Sequence, residues 1–276
     1  MLRFTYFLGI SLFFLLSGQA GEGKTGKRVT LYLVIDDVAA PRTEVLFPRF
    51  LQAKLPLTFA ILPGLANSKR FASELAERGF ELILHQPMAP ENGFDPGPGA
   101  IKVNTSPNEI SAILDANLRG LPHIVGMNNH MGSYVTRDRA LMRAILEYCR
   151  QHRLFFLDSL TSPRSVAGEL QKAVGLPQLK RDIFLDHTDT REAVLDQFEK
   201  AIRLAQRKGF AVVIGHAWSE NTCELLLTLA PRLKREGIDF GLLSQLAQQL
   251  RRLPGDQSKS SPKYTPPRRS ASRKSP

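Results

Sequence analysis

Cysteine is scarce in this chain. Only Cys149 and Cys223 occur among 276 residues, and no Cys-x-x-Cys spacing is present. Thiolate metal sites and dithiol redox chemistry are therefore excluded. Both cysteines fall in helical patterns, where they could pair in an oxidising compartment or remain as buried free thiols.

The common motifs of covalent catalysis and nucleotide binding are also missing. The sequence has no Gly-x-Ser-x-Gly elbow, no Walker loop, no Gly-x-Gly-x-x-Gly turn and no His-Glu-x-x-His helix. Without an elbow, Ser133 and Ser159 are poor candidates for a nucleophile. These absences argue against serine-hydrolase and nucleotide-binding functions.

Only one long apolar run occurs, and it lies at the start of the chain. Arg3 precedes the apolar residues 4–16, and small residues then converge on Gly18-Gln19-Ala20. The run is short for a bilayer span, which needs ~20 apolar residues. We therefore predict a signal peptide over residues 1–20 and export to the periplasm or beyond. An uncleaved anchor is the alternative, and it would be the only contact with a membrane.

Positive charge is concentrated at the other end of the chain. The net charge is +11, but residues 251–276 hold eight Lys and Arg against the single Asp256. Residues 21–250 are close to neutral, which argues against nucleic-acid binding by the folded part. We predict a linker over residues 21–28, one domain over 29–253 and a disordered basic tail over 254–276.

Strand and helix patterns alternate through the central domain. Apolar runs predict strands at 29–35, 57–61, 81–84, 124–127, 154–157, 180–185, 211–215 and 239–242. Helical patterns occupy 68–78, 108–118, 138–152, 190–208, 221–236 and 243–253. So many consecutive βα units favour a single-domain, distorted parallel (β/α) barrel of seven or eight strands. An open doubly wound sheet is the alternative.

Acidic and imidazole side chains follow six of these strands. The strand ends carry Asp36-Asp37, His85, His130, Asp158, Asp186-His187 and His216. The carboxyl ends of parallel barrel strands share one face, where active sites lie. A single such residue is more often a helix cap or a satisfied polar group, but the coincidence of several predicts a site.

The residue types at this face suit a metal ion. One carboxylate and two imidazoles are typical zinc ligands and leave a coordination position open. In the adjacent pair Asp36-Asp37 the side chains should point to different sides of the strand. One of them can then bind the metal while the other takes a proton from a water molecule. His123 and His152 fall outside the set, and we interpret both as structural.

With these residues in view, the chain resembles the divergent polysaccharide deacetylase family, a branch of the carbohydrate deacetylases with a distorted (β/α) barrel. The resemblance covers about residues 29–250. The motifs that carry it are LVIDD (33–37), FAILP (59–63), LHQPM (84–88), GMNNHMGS (126–133), FFLDS (155–159), RDIFLD (181–186) and VIGHA (213–217).

The resemblance implies roles for individual residues. Asp36 would be the catalytic base, Asp37 a metal ligand, His85 the first metal histidine and His216 the general acid. Ala89 stands where the broader carbohydrate deacetylases have their second metal histidine, and His130 is its natural replacement. The arginine that orients the base has no evident counterpart, and His187 stands where this branch often has asparagine.

These observations predict a hydrolase that uses a divalent metal, zinc in the first place, to remove acyl groups from a cell-envelope carbohydrate. Asp158 would orient His216 or another site residue, and His216 is expected across the barrel mouth from Asp36. Backbone N–H groups near Met131 and Gly132 could hold the oxyanion, and Trp218 could stack on a sugar or lie in the core.

The alternative function is that of a catalytically weak or inactive periplasmic glycan-binding or scaffold protein that keeps the metal pocket. A metal-dependent phosphoesterase is a third reading, without a clear phosphate clamp. No pattern identifies a protein partner.

Overall fold

The computed structural model describes residues 29–252, and its central feature is one sheet of parallel strands. The strands are β1 (Val29–Val38), β2 (Thr58–Ile61), β3 (Glu81–Met88), β4 (Ile124–Met131), β5 (Phe155–Asp158), β6 (Leu179–Lys180), β7 (Ile183–Phe184), β8 (Phe210–His216) and β9 (Ile238–Gly241). Eight follow the spatial order β6-β5-β4-β3-β2-β1-β8-β7, and β9 pairs with the first half of β1. Because β6 and β7 are joined by two residues but lie at opposite ends of this order, the sheet curls into an incompletely closed barrel.

Helices cover the outside of this barrel. Over the described range they are α1 (Thr43–Gln52), α2 (Ser68–Glu77), α3 (Ile110–Leu118), α4 (Arg139–Gln151), α5 (Ala167–Val174), α6 (Arg191–Lys208), α7 (Glu220–Arg235) and α8 (Leu243–Arg252). Their ends follow local signals: the Asp138 carboxylate accepts hydrogen bonds from two N–H groups of the first turn of α4, and Gly209 ends α6 with a positive φ.

The predicted fold class, a single-domain distorted parallel (β/α) barrel, is confirmed, and the open doubly wound alternative is wrong. Two details differ from the prediction. The apolar run 180–185 is two short strands, because Arg181 and Asp182 interrupt it and its halves pair with different neighbours, β5 and β8. Helices α1 and α5 were not predicted; α1 contains Pro48, which weakens a helical pattern.

Strand alternation divides the apolar residues between two faces. The outward residues pack beneath the helices; on β1 these are Leu31, Leu33 and Ile35. The inward residues fill the barrel and meet α8, which covers the end opposite the strand C-termini. This inner set contains Tyr32, Val34, Ala60, Ile83, Phe155, Leu157, Leu179, Val212, Ile214, Leu243, Leu246 and Ala247. The apolar filling therefore ends just below the barrel mouth.

A buried carboxylate anchors α8 in this position. Glu81 is buried, accepts a hydrogen bond from Thr58 Oγ1 at 2.7 Å and accepts the backbone N–H of Ser244 at 3.2 Å. Within residues 29–252 no helix combines the length and apolar character needed to cross a membrane. The predictions for residues 1–20, 21–28 and 254–276 lie outside the described residues.

Candidate active site

The inner face of the strands becomes polar at the barrel mouth. On β1 the inward series Tyr32, Val34 continues to Asp36, and on β8 the series Val212, Ile214 continues to His216. By the same alternation β3 presents His85, and β4 presents Asn128 and His130. The period of two that fills the barrel with apolar side chains thus places the chemically active ones above them.

Asp37 reaches the same cavity through an irregularity of β1. Its φ is 60°, a left-handed conformation that Asp adopts more readily than most residues. The register between β1 and β2 shifts between Ile35 and Val38, which marks a bulge. We expected the neighbouring carboxylates to point to different sides of the strand, but the bulge brings both Asp36 and Asp37 to one cavity.

Three side-chain atoms form a compact triangle at the mouth. Asp37 Oδ1 lies 3.0 Å from His130 Nδ1 and 3.2 Å from His85 Nε2, and the two nitrogens are 3.2 Å apart. A tetrahedral zinc ion with bonds of about 2.0–2.1 Å separates its ligand atoms by about 3.3 Å. Asp37 Oδ1 is also buried, with no hydrogen-bond partner among the described residues. The three groups are a possible metal site, and their donor types and spacing fit a divalent ion.

Asn128 fixes the tautomer of His85. Asn128 Nδ2 donates to Asp36 Oδ1 at 2.8 Å, so its amide oxygen points the other way, 2.7 Å from His85 Nδ1. That oxygen can only accept, so a neutral His85 carries its proton on Nδ1 and directs its Nε2 lone pair at the triangle. Sequence reasoning did not assign a role to Asn128, although its position on the inward face of β4 was a usable signal.

The pKa values of the two carboxylates shift in opposite directions. Burial raises the pKa of Asp36, against the opposing effects of His85 and His216. Burial would also raise the pKa of Asp37, but the imidazoles of His130 and His85 that face its carboxylate outweigh this and hold the pKa well below the usual value. Asp37 is therefore suited to an ionised ligand and Asp36 to a group that can take up a proton.

His216 forms a tight pair with Asp186. Asp186 Oδ1 lies 2.7 Å from His216 Nδ1, while Oδ2 accepts the His216 backbone N–H at 2.7 Å and the Thr222 hydroxyl at 2.9 Å. Burial would lower the pKa of His216, but the contact with Asp186 and the charges of Asp37 and Asp36 raise it to about 9. These contacts favour the protonated imidazole, with Nε2–H directed away from Asp186.

Asp158 does not hold His216. It follows Phe156 on the outer face of β5, where alternation turns it away from the barrel interior. Its carboxylate accepts the Ser165 hydroxyl at 2.7 Å and the Leu160 backbone N–H at 2.8 Å. The expected contact between Asp158 and His216 is wrong, and Asp186 makes it instead. The placement of His216 across the mouth is also wrong, since Asp36 and His216 are register partners on adjacent strands.

Trp218 is neither a simple core residue nor an open stacking platform. Its indole Nε1–H donates to Asp37 Oδ2 at 2.9 Å, and its ring stacks on His216 with centroids 5.0 Å apart. It therefore holds the carboxylate oxygen of Asp37 that faces away from the triangle. His187 is exposed at the edge of the cavity, and His152 packs on Tyr148 at the end of α4.

Arg181 is a further site residue that the sequence did not reveal. It lies in the two-residue gap between β6 and β7 and lines the cavity with Asp36 and His216. The whole cavity has a volume of about 410 Å³. Its wall consists of Asp36, Asp37, His85, Asn129, His130, Met131, Ser159, Leu160, Thr161, Arg181, Phe184, His187, Ile214 and His216. A pocket of this size is in the range of small-molecule and sugar sites.

The chain belongs to the divergent polysaccharide deacetylase family, whose model matches residues 33–247. A family 4 carbohydrate esterase from Streptomyces lividans, solved in complex with acetate, shares the fold with a TM-score of 0.53 and 14% identity, over 79% of this chain and 95% of that one.

Two uncharacterized proteins are more similar. YibQ of Escherichia coli K12 is 31% identical over 187 residues, which are 67% of this chain and 58% of that protein. The chain thus spans about three fifths of the length of YibQ. The crystal structure of a protein from Agrobacterium tumefaciens C58 has a TM-score of 0.74 and 20% identity, over 80% of this chain and 90% of that one.

Proposed function

We propose that this protein is a metal-dependent hydrolase that removes acyl groups, acetyl in the first place, from a cell-envelope polysaccharide or related carbohydrate. One observation carries the proposal. The ligand triangle of Asp37, His85 and His130 shares a single cavity with a buried carboxylate, Asp36, and an imidazole, His216, that pairs with Asp186. Membership of the deacetylase family supports this reading.

Asp37, His85 and His130 would hold the ion. A divalent ion bound there would supply Lewis-acid chemistry, polarising the acyl carbonyl and making water a better nucleophile. The protein's part is to keep the three ligands in place: Trp218 donates to the second Asp37 oxygen, and Asn128 fixes the tautomer of His85. Such supporting contacts commonly decide the affinity of a metal site.

Asp36 is placed to act as general base. Asn128 holds its Oδ1, while Oδ2 lies 3.8 Å from His85 Nε2, beside the ligand triangle. A water molecule that attacks a carbonyl at the triangle can pass its proton to this oxygen. Burial raises the pKa of Asp36, which makes its carboxylate a better proton acceptor than an exposed aspartate.

His216 is placed to act as general acid. With Nδ1–H donated to Asp186, the remaining Nε2–H can protonate the leaving nitrogen or oxygen of the sugar. The register pairing of Asp36 with His216 puts base and acid side by side at the mouth. The two proton transfers of an acyl hydrolysis can therefore take place on one substrate without a large movement of the protein.

Acetate release from metal-reconstituted protein tests the proposal. The full-length protein is stripped with a chelator, dialysed and reloaded with Zn²⁺, and acetate is measured on a panel of N- and O-acetylated oligosaccharides. The proposal predicts release by the reloaded protein and none by the stripped one. Inactivity of the zinc-loaded protein across the whole panel, together with measurable glycan affinity, would favour a binding protein instead.

The pH profile should reveal the pairing of His216 with Asp186. A general acid works in its protonated form, so kcat/KM should fall as pH rises through the pKa of His216, which is about 9. Asp186→Asn removes the negative charge that raises this pKa, so the alkaline limb should move towards neutral pH. The measurement is kcat/KM for acetate release between about pH 6 and 10.

Asp158→Asn is the matched control for this shift. It changes another buried aspartate at a strand end that has no contact with His216. We expect its alkaline limb to stay in place. A limb that moves in Asp158→Asn but not in Asp186→Asn would contradict the assignment.

We further propose that the protein is exported. The pattern of Arg3, an apolar run and Gly18-Gln19-Ala20 supports removal of residues 1–20. N-terminal sequencing of protein taken from its native compartment should then begin at or near Gly21. Soluble cytoplasmic protein that still begins at Met1 or Leu2 would refute this.

A further inference from the structure

Arg181 lies in the two-residue segment between β6 and β7, where the barrel is not closed, and its backbone is held in place. The Arg181 backbone N–H donates to the Asp158 carbonyl at 2.9 Å, and that of Asp182 donates to the Val212 carbonyl at 2.8 Å. The Asp182 carboxylate accepts Val212 N–H at 2.9 Å and Lys208 Nζ at 2.7 Å. Because both edges of the sheet hold this segment, the Arg181 side chain starts from a fixed point on the cavity wall.

The guanidinium group of Arg181 is also held in place, and one of its three nitrogens makes no hydrogen bond within the described residues. Nε donates to the Ser159 carbonyl at 2.7 Å, and Nη2 donates to the Leu160 carbonyl at 3.1 Å. The Phe184 ring packs against it, with Cζ 4.9 Å from the ring centroid. Nη1 has no hydrogen bond to any residue between 29 and 252. A guanidinium held in this way presents its remaining N–H groups as a rigid donor set.

The positive charge of Arg181 has no ion-pair partner in the described part of the chain. Asp158, Asp36 and Asp182 attract it only from beyond ion-pair distance, and Asp182 already binds Lys208. The hydroxyl of Ser159, which also lines the cavity, is buried without a hydrogen-bond partner. A half-buried cation that has carboxylates nearby but no direct ion-pair partner is only partly compensated, and a bound anion would complete its contacts.

We infer that Arg181 recognises an anionic group, a carboxylate or a phosphate, on the acylated sugar or on the sugar next to it. This inference rests on the proposed function and specifies its substrate class. The guanidinium fork matches both kinds of oxyanion and can bind either in a bidentate manner. A neutral glycan would leave the charge of Arg181 without a partner when it fills the cavity.

The position of Phe184 locates this anion relative to the reaction. Arg181 Cζ lies 4.9 Å from the Phe184 centroid and the His216 ring centroid lies 5.0 Å from it, so the two cations are at most about 10 Å apart. His216 would protonate the leaving atom of the sugar. The anionic group therefore lies within the span of a disaccharide from the atom that carries the acyl group.

The inference can be tested by measuring the binding of sugars to protein that cannot remove the acetyl group. Full-length protein, stripped of metal and dialysed free of chelator, is titrated with N-acetylmuramic acid and with its methyl ester, in which one added methyl group removes the charge of the carboxyl group. Because hydrogen bonds to a charged group are strong, we expect the acid to bind roughly 10-fold or more tightly than the ester. Titration with N-acetylglucosamine 6-phosphate and with N-acetylglucosamine gives the same comparison for a phosphate.

Variants assign the preference to Arg181. Arg181→Gln should bind acid and ester equally, whereas Lys180→Gln, which removes the exposed neighbouring cation, should keep the preference. Should Arg181→Gln fail to fold, Arg181→Lys keeps the charge but loses the fork, and the preference should shrink. Equal binding of the charged and neutral sugars by the wild type, or a preference that survives Arg181→Gln, would overturn the inference.

Failure of this inference and failure of the proposed function give different results. If no acetate is released from any substrate, the proposed hydrolysis is wrong. The difference in affinity between charged and neutral sugars can still be measured, and it still tests the role of Arg181. Conversely, acetate release with no preference for anionic sugars would remove only the role of Arg181.

Discussion

Replacing His216 with alanine is expected to lower kcat/KM for acetate release by about 10²–10⁴-fold, the usual contribution of a general acid or base. The substitution removes the proton donor but none of the three atoms of the ligand triangle. The Asp186 carboxylate keeps the hydrogen bonds from the backbone N–H of residue 216 and from the Thr222 hydroxyl. The fold and the metal should therefore be retained.

Asp36→Asn is expected to cause a loss of similar size by a different route. The amide is nearly the same size as the carboxylate, and its oxygen can still accept the Asn128 hydrogen bond. What it loses is the ability to take up a proton. Acetate release and metal content should be measured on the same preparations of both variants.

His152→Ala is the control for these two variants. It removes an imidazole that stacks on Tyr148 at the end of α4, away from the cavity. Its unfolding free energy should change by about 0.5 kcal/mol or less, as for most surface substitutions, so its activity should stay near the wild-type level. Activity near the wild-type level in His216→Ala or Asp36→Asn would show that the acid–base assignment is wrong.

The second large effect concerns the metal. Replacing Asp37, His85 or His130 with alanine is expected to lower the metal content of purified protein roughly 10-fold or more, since even a supporting contact is commonly worth that much. The three atoms lie 3.0–3.2 Å apart, so each of them would contact an ion placed between them. Plasma emission spectrometry after zinc loading and dialysis measures this directly.

His187→Ala is the matched control for metal content. His187 lines the same cavity and is exposed, but it does not belong to the group of atoms that could share an ion. We expect full metal content in this variant. Full occupancy in His130→Ala would show that His130 is not a ligand of the ion.

The barrel and the general position of the site could be predicted from residue patterns. The apolar runs end in Asp, His or Asn, and parallel strands bring those ends to one face. The alternation of side chains along a strand also predicts which residues face the barrel interior. Tyr32 and Val34 face inward, so Asp36 does too, and by the same count Asp158 shares the outward face of Phe156. The outward position of Asp158 therefore follows from the sequence pattern alone.

Other features depend on tertiary structure and have no local signal. The left-handed φ of Asp37 comes with a bulge between β1 and β2, which no periodicity indicates. The contact between Asp186 and His216 depends on β7 pairing with β8, although their segments are far apart in sequence. Arg181 lies inside a run that reads as one strand, and only the incomplete closure of the barrel makes it a cavity residue.

Anomalous diffraction from crystals of the zinc-loaded protein tests the central claim most directly, because it locates the ion without reference to activity. We expect one strong peak at the barrel mouth, at about 2.0–2.2 Å from an Asp37 carboxylate oxygen, His85 Nε2 and His130 Nδ1. We also expect Asp36 and His216 to lie beside the ion without binding it. A zinc-loaded crystal with no peak between these three residues, or with the ion bound to Asp36 or His216 instead, would contradict it.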